Sequence, residues 1–399
     1  MTHPVETPER GAFFYMDLLR YVAASLVVVE HLRDLTWLTW GEAALPSVLF
    51  QPVYFLTGFG SQAVSIFFVL SGFWITRAVE RRVDAPNFWR VYLTDRLSRL
   101  LVVIVPALLI GWALDAYGRF GLQSPLYLGT SGALSLRGDI AARLDAATFL
   151  GNLAFLQTIL VPTFGSNGPL WSLANEFWYY VWFPALLMLV KKRRVSLGLL
   201  ALVVVAIGPH LLAGFAVWLA GSALYYLDSR LHENRARTPL WQFLLGAMLA
   251  GAVMSADRLG KIPAPFGFIA VGIAFAVFVW LLLGRNPLPK GWLSPLAKFG
   301  ANSSYSLYVV HFPVLTLATA LAMPQGRIEP GWGSALVLAL AYLALVLFAW
   351  GFSRLTEAHT PKLRKLLSPK PPALESDSKF AKGRISRRHR PEMEFRIRH

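Results

Sequence analysis

The sequence predicts an all-α integral membrane protein of about ten transmembrane helices, and three observations support this prediction. The 399-residue chain is 55% hydrophobic and 15% charged, with a mean hydropathy of +0.50. An ordinary soluble domain is about 25% charged, so most of this surface is expected to face lipid. Apolar stretches long enough to cross a bilayer recur along most of the chain, and Lys and Arg collect in alternate connections between them.

Ten apolar stretches are expected to cross the membrane. They are residues 15–38, 50–76, 97–117, 170–190, 195–209, 211–227, 240–256, 265–284, 304–322 and 334–355. The fifth and sixth meet at the helix-breaking pair Gly208-Pro209. Residues 142–163 are predicted to be an interfacial or re-entrant helix rather than a span, because a span there would move the basic cluster at 191–194 to the outside.

The distribution of basic residues predicts the orientation. An even number of spans places both termini on one side, and 31 of the 38 Lys and Arg residues fall on that side. The excess persists when the long basic tail is left out, so both termini are predicted to be cytoplasmic. The chain thus divides into an N-terminal segment 1–12, a membrane domain 13–355, and a basic cytoplasmic tail 356–399 that is expected to be disordered.

Composition also excludes several classes of site. The chain has no Cys, which excludes disulfides, thiolate metal sites and a cysteine acyl-enzyme. Residues 1–11 are polar and the apolar run after them has no small-residue cleavage site, so a cleaved signal peptide is not expected. The tail follows a ten-span body, which makes anionic lipid head groups a better partner for its charges than nucleic acid.

The first predicted span carries polar residues that need an explanation. Arg20 and His31 are eleven residues apart, so they share a helix face and lie about 16 Å apart along the axis. With Arg20 at the cytoplasmic boundary, His31 falls near the middle of a hydrocarbon layer about 30 Å thick. Ionisable groups at that depth are costly, which favours a functional site over a Glu30-His31 pair that merely joins two helices.

Small and basic residues mark two further positions. Ser71 and Gly72 lie in the second span, where close helix packing or a ligand would equally explain them. Arg96 and Arg99 follow at i, i+3 spacing near the predicted start of the third span. Two guanidinium groups at a helix N-terminus suit a phosphate group, although basic residues also anchor cytoplasmic loops in general.

The fourth span contributes an acidic residue. Glu176 lies about one and a half turns inside the membrane and shares a face with Ser172. An unpaired carboxylate at that depth would be protonated, so we expect Glu176 to pair with a cation or a histidine from another helix. His31 is the natural candidate.

The ninth span contributes a second histidine. Tyr305, Tyr308 and His311 are spaced to share one helix face. Pro313 follows, and its missing N–H leaves one backbone carbonyl without its helical partner. His311 is therefore either part of the functional site or a buried structural residue.

These residues occur in order as five short motifs. They are Arg20-x10-His31, Phe67-Phe-Val-Leu-Ser-Gly-Phe73, Arg96-Leu-Ser-Arg99, Trp171-Ser-Leu-x-x-Glu176 and Ser304-Tyr-Ser-Leu-Tyr308-x-x-His311. The set resembles the membrane acyltransferase-3 family, the bacterial O-acyltransferases that modify cell-surface carbohydrates. Each motif is weak alone, but five in sequence with ten spans, from about residue 13 to 355, are specific. We expect no appended soluble esterase-like domain, so that any acyl relay ends within the membrane domain.

The resemblance implies acyl-CoA, commonly acetyl-CoA, as the cytoplasmic donor and a carbohydrate or glycolipid hydroxyl as the acceptor. It also implies a multi-pass protein of the bacterial inner (plasma) membrane, with no metal. His31 would act as general base or transient acyl carrier, oriented by Glu176 or by Glu30, of which Glu176 is preferred. The other expected roles are donor binding by Arg20, Arg96 and Arg99, and substrate binding by Ser71, Ser172, Tyr305 and His311.

A membrane transporter is the main alternative. A proton-coupled transporter or flippase would use His31, Glu176 and His311 as a proton relay. It would move its substrate without covalent change, so mass spectrometry of surface glycans from a deletion strain separates the two functions. The sequence does not choose the acceptor, the acyl chain length or the oligomeric state.

Overall fold

A computed structural model of the chain describes residues 10–43, 48–192, 208, 210–231, 234–289 and 291–367. The described residues form an α-helical bundle without β-strands. The helices are α1 (Gly11–Thr36), α2 (Gln51–Leu56), α3 (Gly60–Glu80), α4 (Phe88–Ala116), α5 (Pro125–Leu128), α6 (Ala146–Leu153), α7 (Trp171–Lys192), α8 (Leu211–Leu231), α9 (Leu240–Arg258), α10 (Phe266–Arg285), α11 (Ser294–Ala322), α12 (Trp332–Leu355) and α13 (Thr360–Leu367).

Nine helical segments of the described chain are long and apolar enough to cross a membrane. They correspond to nine of the ten predicted spans, which confirms the all-α integral membrane class. The other predicted span, 195–209, lies outside the described residues apart from Gly208. Residues 142–163 contain only the eight-residue helix α6, which is too short to cross a bilayer.

Close packing of α3 on α8 depends on two glycines. A Cβ added at Gly72 would lie 2.0 Å from the carbonyl oxygen of Trp218, and one added at Gly221 would lie 1.9 Å from that of Val69. Both positions therefore require a residue without a side chain, and the two helix backbones touch there. Gly72 of the second span thus serves helix packing, as one of the two sequence interpretations expected.

The ends of two elements differ from the sequence prediction. Helix α4 begins at Phe88, so Arg96 and Arg99 lie more than two turns inside it and not at a helix N-terminus. The phosphate argument from the helix end was therefore wrong. Part of the tail that was expected to be disordered also forms a helix: α13 packs beside α4, with Arg364 Nε 3.7 Å from Asp95 Oδ1. The tail beyond residue 367 is outside the described residues.

Helices differ in how much of their surface is covered. The polar residues singled out above on α1, α3, α7 and α11 are buried or half-buried. By contrast, α9 and α12 expose large apolar side chains along their length, among them Leu244, Met248, Leu336, Leu340 and Leu347. A continuous exposed apolar surface on a long helix is what a lipid-facing helix requires. The chemistry-bearing residues therefore lie in the interior of the bundle.

Candidate active site

A pair of histidines joins α1 to α11 in the interior of the bundle. Nδ1 of His31 lies 2.9 Å from Nε2 of His311, and the two rings are nearly parallel. His311 is completely buried, and its own Nδ1 lies 2.6 Å from the carbonyl oxygen of Tyr308. The phenyl ring of Phe312 packs edge-on against His31. The sequence did not predict this pairing.

The hydrogen bonds of the pair determine which nitrogen of His31 is basic. A carbonyl oxygen only accepts, so Nδ1 of His311 carries the proton that it donates to Tyr308. Nε2 of neutral His311 then has a lone pair and accepts a hydrogen bond from Nδ1–H of His31. This leaves the lone pair of His31 on Nε2, which is the arrangement a general base needs.

His31 lines a cavity of about 220 Å³, which we call the His31 cavity. Glu30, Asp34 and Ser135 contribute polar groups to its wall, and Trp171 contributes an aromatic one. Ligand pockets typically combine apolar and aromatic walls with a small number of placed polar groups, so this cavity is a candidate binding site.

Asp34 ties an inter-helix loop to the His31 cavity. Its carboxylate accepts hydrogen bonds from the backbone N–H of Leu134 at 3.2 Å and of Ser135 at 2.7 Å, and from the Ser135 hydroxyl. Asp34 is one turn beyond His31 on α1, so the sequence shows that the two residues share a helix face. The sequence gives no indication of the loop that Asp34 binds. The loop forms one wall of the cavity because of this carboxylate.

Glu30 lies against the first residue of α3. A Cβ added at Gly60 would fall 2.0 Å from Glu30 Oε2, so glycine is needed for this approach. The carboxylate there faces the positive end of the α3 dipole. Arg33 and Arg258 both donate to the carbonyl of Tyr54 at 2.9 Å, which fixes the turn before α3. The Glu30 side chain is thus fixed in the wall of the His31 cavity.

A second cavity, of about 40 Å³, lies nearer the N-terminus of α1, and we call it the Arg20 cavity. Five residues singled out in the sequence line it together with Arg20, and they are Ser71, Ser172, Glu176, Tyr305 and Tyr308. The rest of its wall consists of Ser304 and of four apolar side chains of α3 and α7, namely Val64, Phe67, Phe68 and Leu173. Arg20 and His31 therefore serve different cavities on the same helix.

Glu176 does not pair with His31, so the expected contact between them was wrong. Its Oε1 accepts a hydrogen bond from Ser71 Oγ at 2.9 Å and another from the Tyr180 hydroxyl. Arg20 adds a favourable charge interaction with the carboxylate. Polar side chains from its own helix and from α3 were available to Glu176, which is why it needs no histidine.

Two further arginines of α4, Arg99 and Arg96, lie near residues of the Arg20 cavity. Arg20 and Arg99 are close enough to repel each other, and Glu357 attracts both while it accepts a hydrogen bond from Ser306 Oγ at 3.0 Å. Arg96 stacks over the ring of Tyr92, and its buried Nε has no hydrogen-bond partner within the described part of the chain. Glu357 was missed in the sequence because it lies in the segment assigned to the tail.

Tyr308 separates the two cavities. Its hydroxyl lies 2.6 Å from Ser172 Oγ and donates to the carbonyl of Pro169 at 3.1 Å. The carbonyl of Val309, which Pro313 leaves without a helical partner, accepts from Asn167 Nδ2 at 2.9 Å. The start of α7 is thereby fastened to α11.

Within the described residues no three His, Asp or Glu side chains converge as a metal site would need.

Comparisons with known proteins identify the family. The sequence model described as "Acyltransferase domain", of the acyltransferase-3 family, matches residues 13–354. The acyltransferase MdmB of Streptomyces mycarofaciens is 28% identical over 352 residues, which cover 81% of this chain and 86% of that protein. A putative O-acetyltransferase of Staphylococcus aureus strain COL is 28% identical over 358 residues, and the match covers 75% of this chain but 50% of that protein.

No solved structure matches the chain significantly. The family match decides between the enzyme and the transporter in favour of the enzyme. Because that match covers most of the sequence, the chain belongs to the acyltransferase-3 family and is a multi-pass membrane acyltransferase.

Proposed function

We propose that the protein transfers an acetyl group from cytoplasmic acetyl-CoA to a hydroxyl of a carbohydrate or glycolipid acceptor, with His31 as the general base. The observation that carries this proposal is the contact of His31 Nδ1 with His311 Nε2 at 2.9 Å, because it directs the lone pair of His31 to Nε2. The His31 cavity would hold the acceptor and the Arg20 cavity the acyl end of the donor.

Charge supports the assignment of the donor to the Arg20 cavity. Acyl-CoA carries several phosphate groups, and arginine side chains are well suited to bind phosphate. Arg20, Arg96 and Arg99 lie at this end, with one buried guanidinium nitrogen of Arg96 unpartnered among the described residues. The excess of Lys and Arg in the loops at this end supports a cytoplasmic position for it, as a donor supplied from the cytoplasm requires.

The reaction needs only His31 and the two substrates. Nε2 of His31 takes the proton of the acceptor hydroxyl as that oxygen forms a bond to the thioester carbonyl carbon. The carbon–sulfur bond then breaks, the thiolate of CoA leaves, and it takes the proton from Nε2. The products are one ester and one free thiol, and His31 returns to its starting state.

The two carboxylates have different roles in this scheme. Glu30 lines the same cavity as His31 and is available to accept a hydrogen bond from an acceptor hydroxyl. Glu176 belongs to the donor cavity, where it balances the charge of Arg20. Ser71, Ser172 and Tyr305 complete the wall on the donor side.

A deletion strain of the source organism tests this function. Mass spectrometry of its surface glycans and glycolipids is expected to show the loss of an acetyl mass, restored by the gene on a plasmid. Membrane vesicles that contain the protein are expected to incorporate label from radiolabelled acetyl-CoA. An unchanged set of glycan masses together with no incorporation would contradict the proposal.

Replacement of His31 tests the role of the base. His31→Ala is expected to lower acetyl transfer by about 10²- to 10⁴-fold, because that is the usual contribution of a general base. His359→Ala is the matched control, since His359 is exposed and lines neither cavity. Full activity of His31→Ala at normal protein levels would exclude His31 as the base.

A further inference from the structure

The wall between the two cavities consists of few side chains. Among the described residues, only Val64 of α3 and Tyr308 of α11 line both the His31 cavity and the Arg20 cavity. Both are buried, with relative exposures of 4% and 7%. These two side chains therefore form the boundary that the two cavities share.

Tyr308 is held firmly in this wall. Its hydroxyl bonds to Ser172 Oγ at 2.6 Å and to the Pro169 carbonyl at 3.1 Å, and the ring of Phe67 packs edge-on against it at 5.6 Å. Val64 is also restricted, because it is a β-branched residue in a helix and its side chain has one preferred rotamer. The gap between the two residues is thus bounded by two rigid side chains.

The Arg20 cavity is small on the scale of an acyl chain. Its volume is about 40 Å³, whereas a cavity needs about 10 to 15 Å³ to hold one water molecule. The space therefore fits roughly three groups the size of a water molecule. An acetyl group has three heavy atoms. Each further methylene would have to extend past Val64 and Tyr308 into the space that the acceptor needs.

We infer that Val64 and Tyr308 form a neck between the donor and acceptor cavities and that this neck favours transfer of an acetyl group over longer acyl groups. The inference rests on the proposed function, because it takes acyl-CoA as the donor and the Arg20 cavity as its site. It adds the specificity of the enzyme for acyl chain length and names the residues that set it.

The neck acts through steric exclusion. A donor with a short acyl group places its thioester carbonyl at the neck, within reach of a hydroxyl in the His31 cavity. A longer chain either stays in a cavity too small for it or fills the acceptor site. One methylene that does not fit an apolar pocket usually changes the specificity of an enzyme about 10-fold to 200-fold.

Substitution of Val64 in both directions provides the test. Vesicles that contain the native acceptor are supplied with radiolabelled acetyl-, propionyl- or butyryl-CoA, and the transferred label is compared with that in vesicles without the protein. Val64→Ala removes two methyl groups from the neck, and Val64→Ile adds one. Val69→Ala is the matched control, since Val69 lies on the same helix, is fully buried and lines neither cavity.

The expected result is a change in the ratio of butyryl to acetyl transfer. Val64→Ala is expected to raise this ratio at least about 10-fold, while Val64→Ile lowers propionyl relative to acetyl transfer. Val69→Ala is expected to leave both ratios as in the wild type. Acetyl transfer by the variants shows that they fold, and the opposite effect of Val64→Ile keeps the test valid should Val64→Ala be unstable.

Two outcomes would overturn the inference, and they are distinguishable. A wild-type enzyme that transfers acetyl groups, with ratios that neither Val64 variant changes by more than twofold, contradicts the neck and leaves the proposed function intact. A wild-type enzyme that transfers no acyl group from any of the three donors contradicts the proposed function, and the neck with it.

Discussion

The two cavities on α1 differ in size and in how their charged groups are held. The His31 cavity has a volume of about 220 Å³, and its carboxylates are fastened to backbone groups of a loop and of a helix start. The Arg20 cavity has a volume of about 40 Å³, and its Arg and Glu side chains face one another. The wide cavity suits an acceptor of variable shape, and the narrow one suits a small, constant donor group.

The difference also shows where rigidity is needed. A general base must be held in one tautomer and one orientation, and for His31 the contacts of His311 and the Tyr308 carbonyl would provide this. A donor end that binds a charged ligand instead needs polar atoms free to contact it, and Nε of Arg96 has no hydrogen-bond partner among the described residues. Variants at the two cavities should therefore affect different kinetic constants.

His311→Ala should have the largest effect after loss of His31 itself. Without its partner, Nδ1 of His31 can lose the proton that keeps the lone pair on Nε2, and the ring is free to turn. A misplacement of about 1 Å at a reactive group can cost about 100-fold in rate. We expect kcat to fall by about that factor while KM for acetyl-CoA stays unchanged, because His311 lines neither cavity.

His311→Gln provides the control for this role. The glutamine amide can accept from Nδ1 of His31 through its oxygen and donate to the Tyr308 carbonyl through its nitrogen. We therefore expect His311→Gln to keep at least about tenfold more activity than His311→Ala. Equal activities of the two variants would show that His311 serves packing alone.

Arg96→Ala should have a smaller effect, and on the other kinetic constant. Loss of one charge-assisted bond to a phosphate usually costs about 1.5 to 3 kcal/mol, or roughly 10- to 100-fold in affinity. We expect the KM for acetyl-CoA to rise at least tenfold while kcat changes little. Arg90→Ala is the control, since Arg90 lies on the same helix with its side chain exposed. An unchanged KM in Arg96→Ala would remove Arg96 from the donor site.

Asp34→Asn should act on the acceptor end through the loop that it holds. An asparagine keeps one oxygen but presents N–H groups to the donors of Leu134 and Ser135, which leaves buried donors unpaired. Such a loss costs about 1 to 3 kcal/mol. We expect faster hydrogen exchange in residues 131–138 in detergent, with KM for acetyl-CoA unchanged. Asp145→Asn is the control, because asparagine caps a helix as well as aspartate does.

The sequence predicted the fold class and most of the polar positions, because long apolar stretches and helical periodicity are local properties. Hydropathy alone located nine spans. Spacing within one helix placed Arg20 and His31 on one face of α1, and Ser172 and Glu176 on one face of α7. These predictions needed no knowledge of how the helices pack.

Contacts between helices could not be predicted in the same way. The partner of His31 is His311, from a helix 280 residues later, and spacing alone gave no reason to prefer it over Glu176. Glu176 found partners on α3 and on its own helix instead. Glu357 was missed because a charged segment near a chain end resembles a disordered tail in composition.

The loop beside the His31 cavity has a second, exposed attachment, where the smallest effect is expected. The guanidinium of Arg119 donates to both oxygens of Asp139 at 2.6 Å and holds the pKa of Asp139 at about 2. An unfolded aspartate has a pKa of about 3.9. Since the folded pKa is the lower one, this stabilisation is present above about pH 3.9 and is lost as the pH falls towards 2.

Both side chains reach solvent, so the contribution is small compared with that of buried Asp34. We expect hydrogen exchange in residues 137–143, corrected for the intrinsic effect of pH, to be equal at pH 7 and pH 5 and faster at pH 3. Asp139→Asn should remove this dependence on pH while residues 131–136 stay protected through Asp34. Opening between pH 7 and pH 5 would instead show that a group other than Asp139 controls the loop.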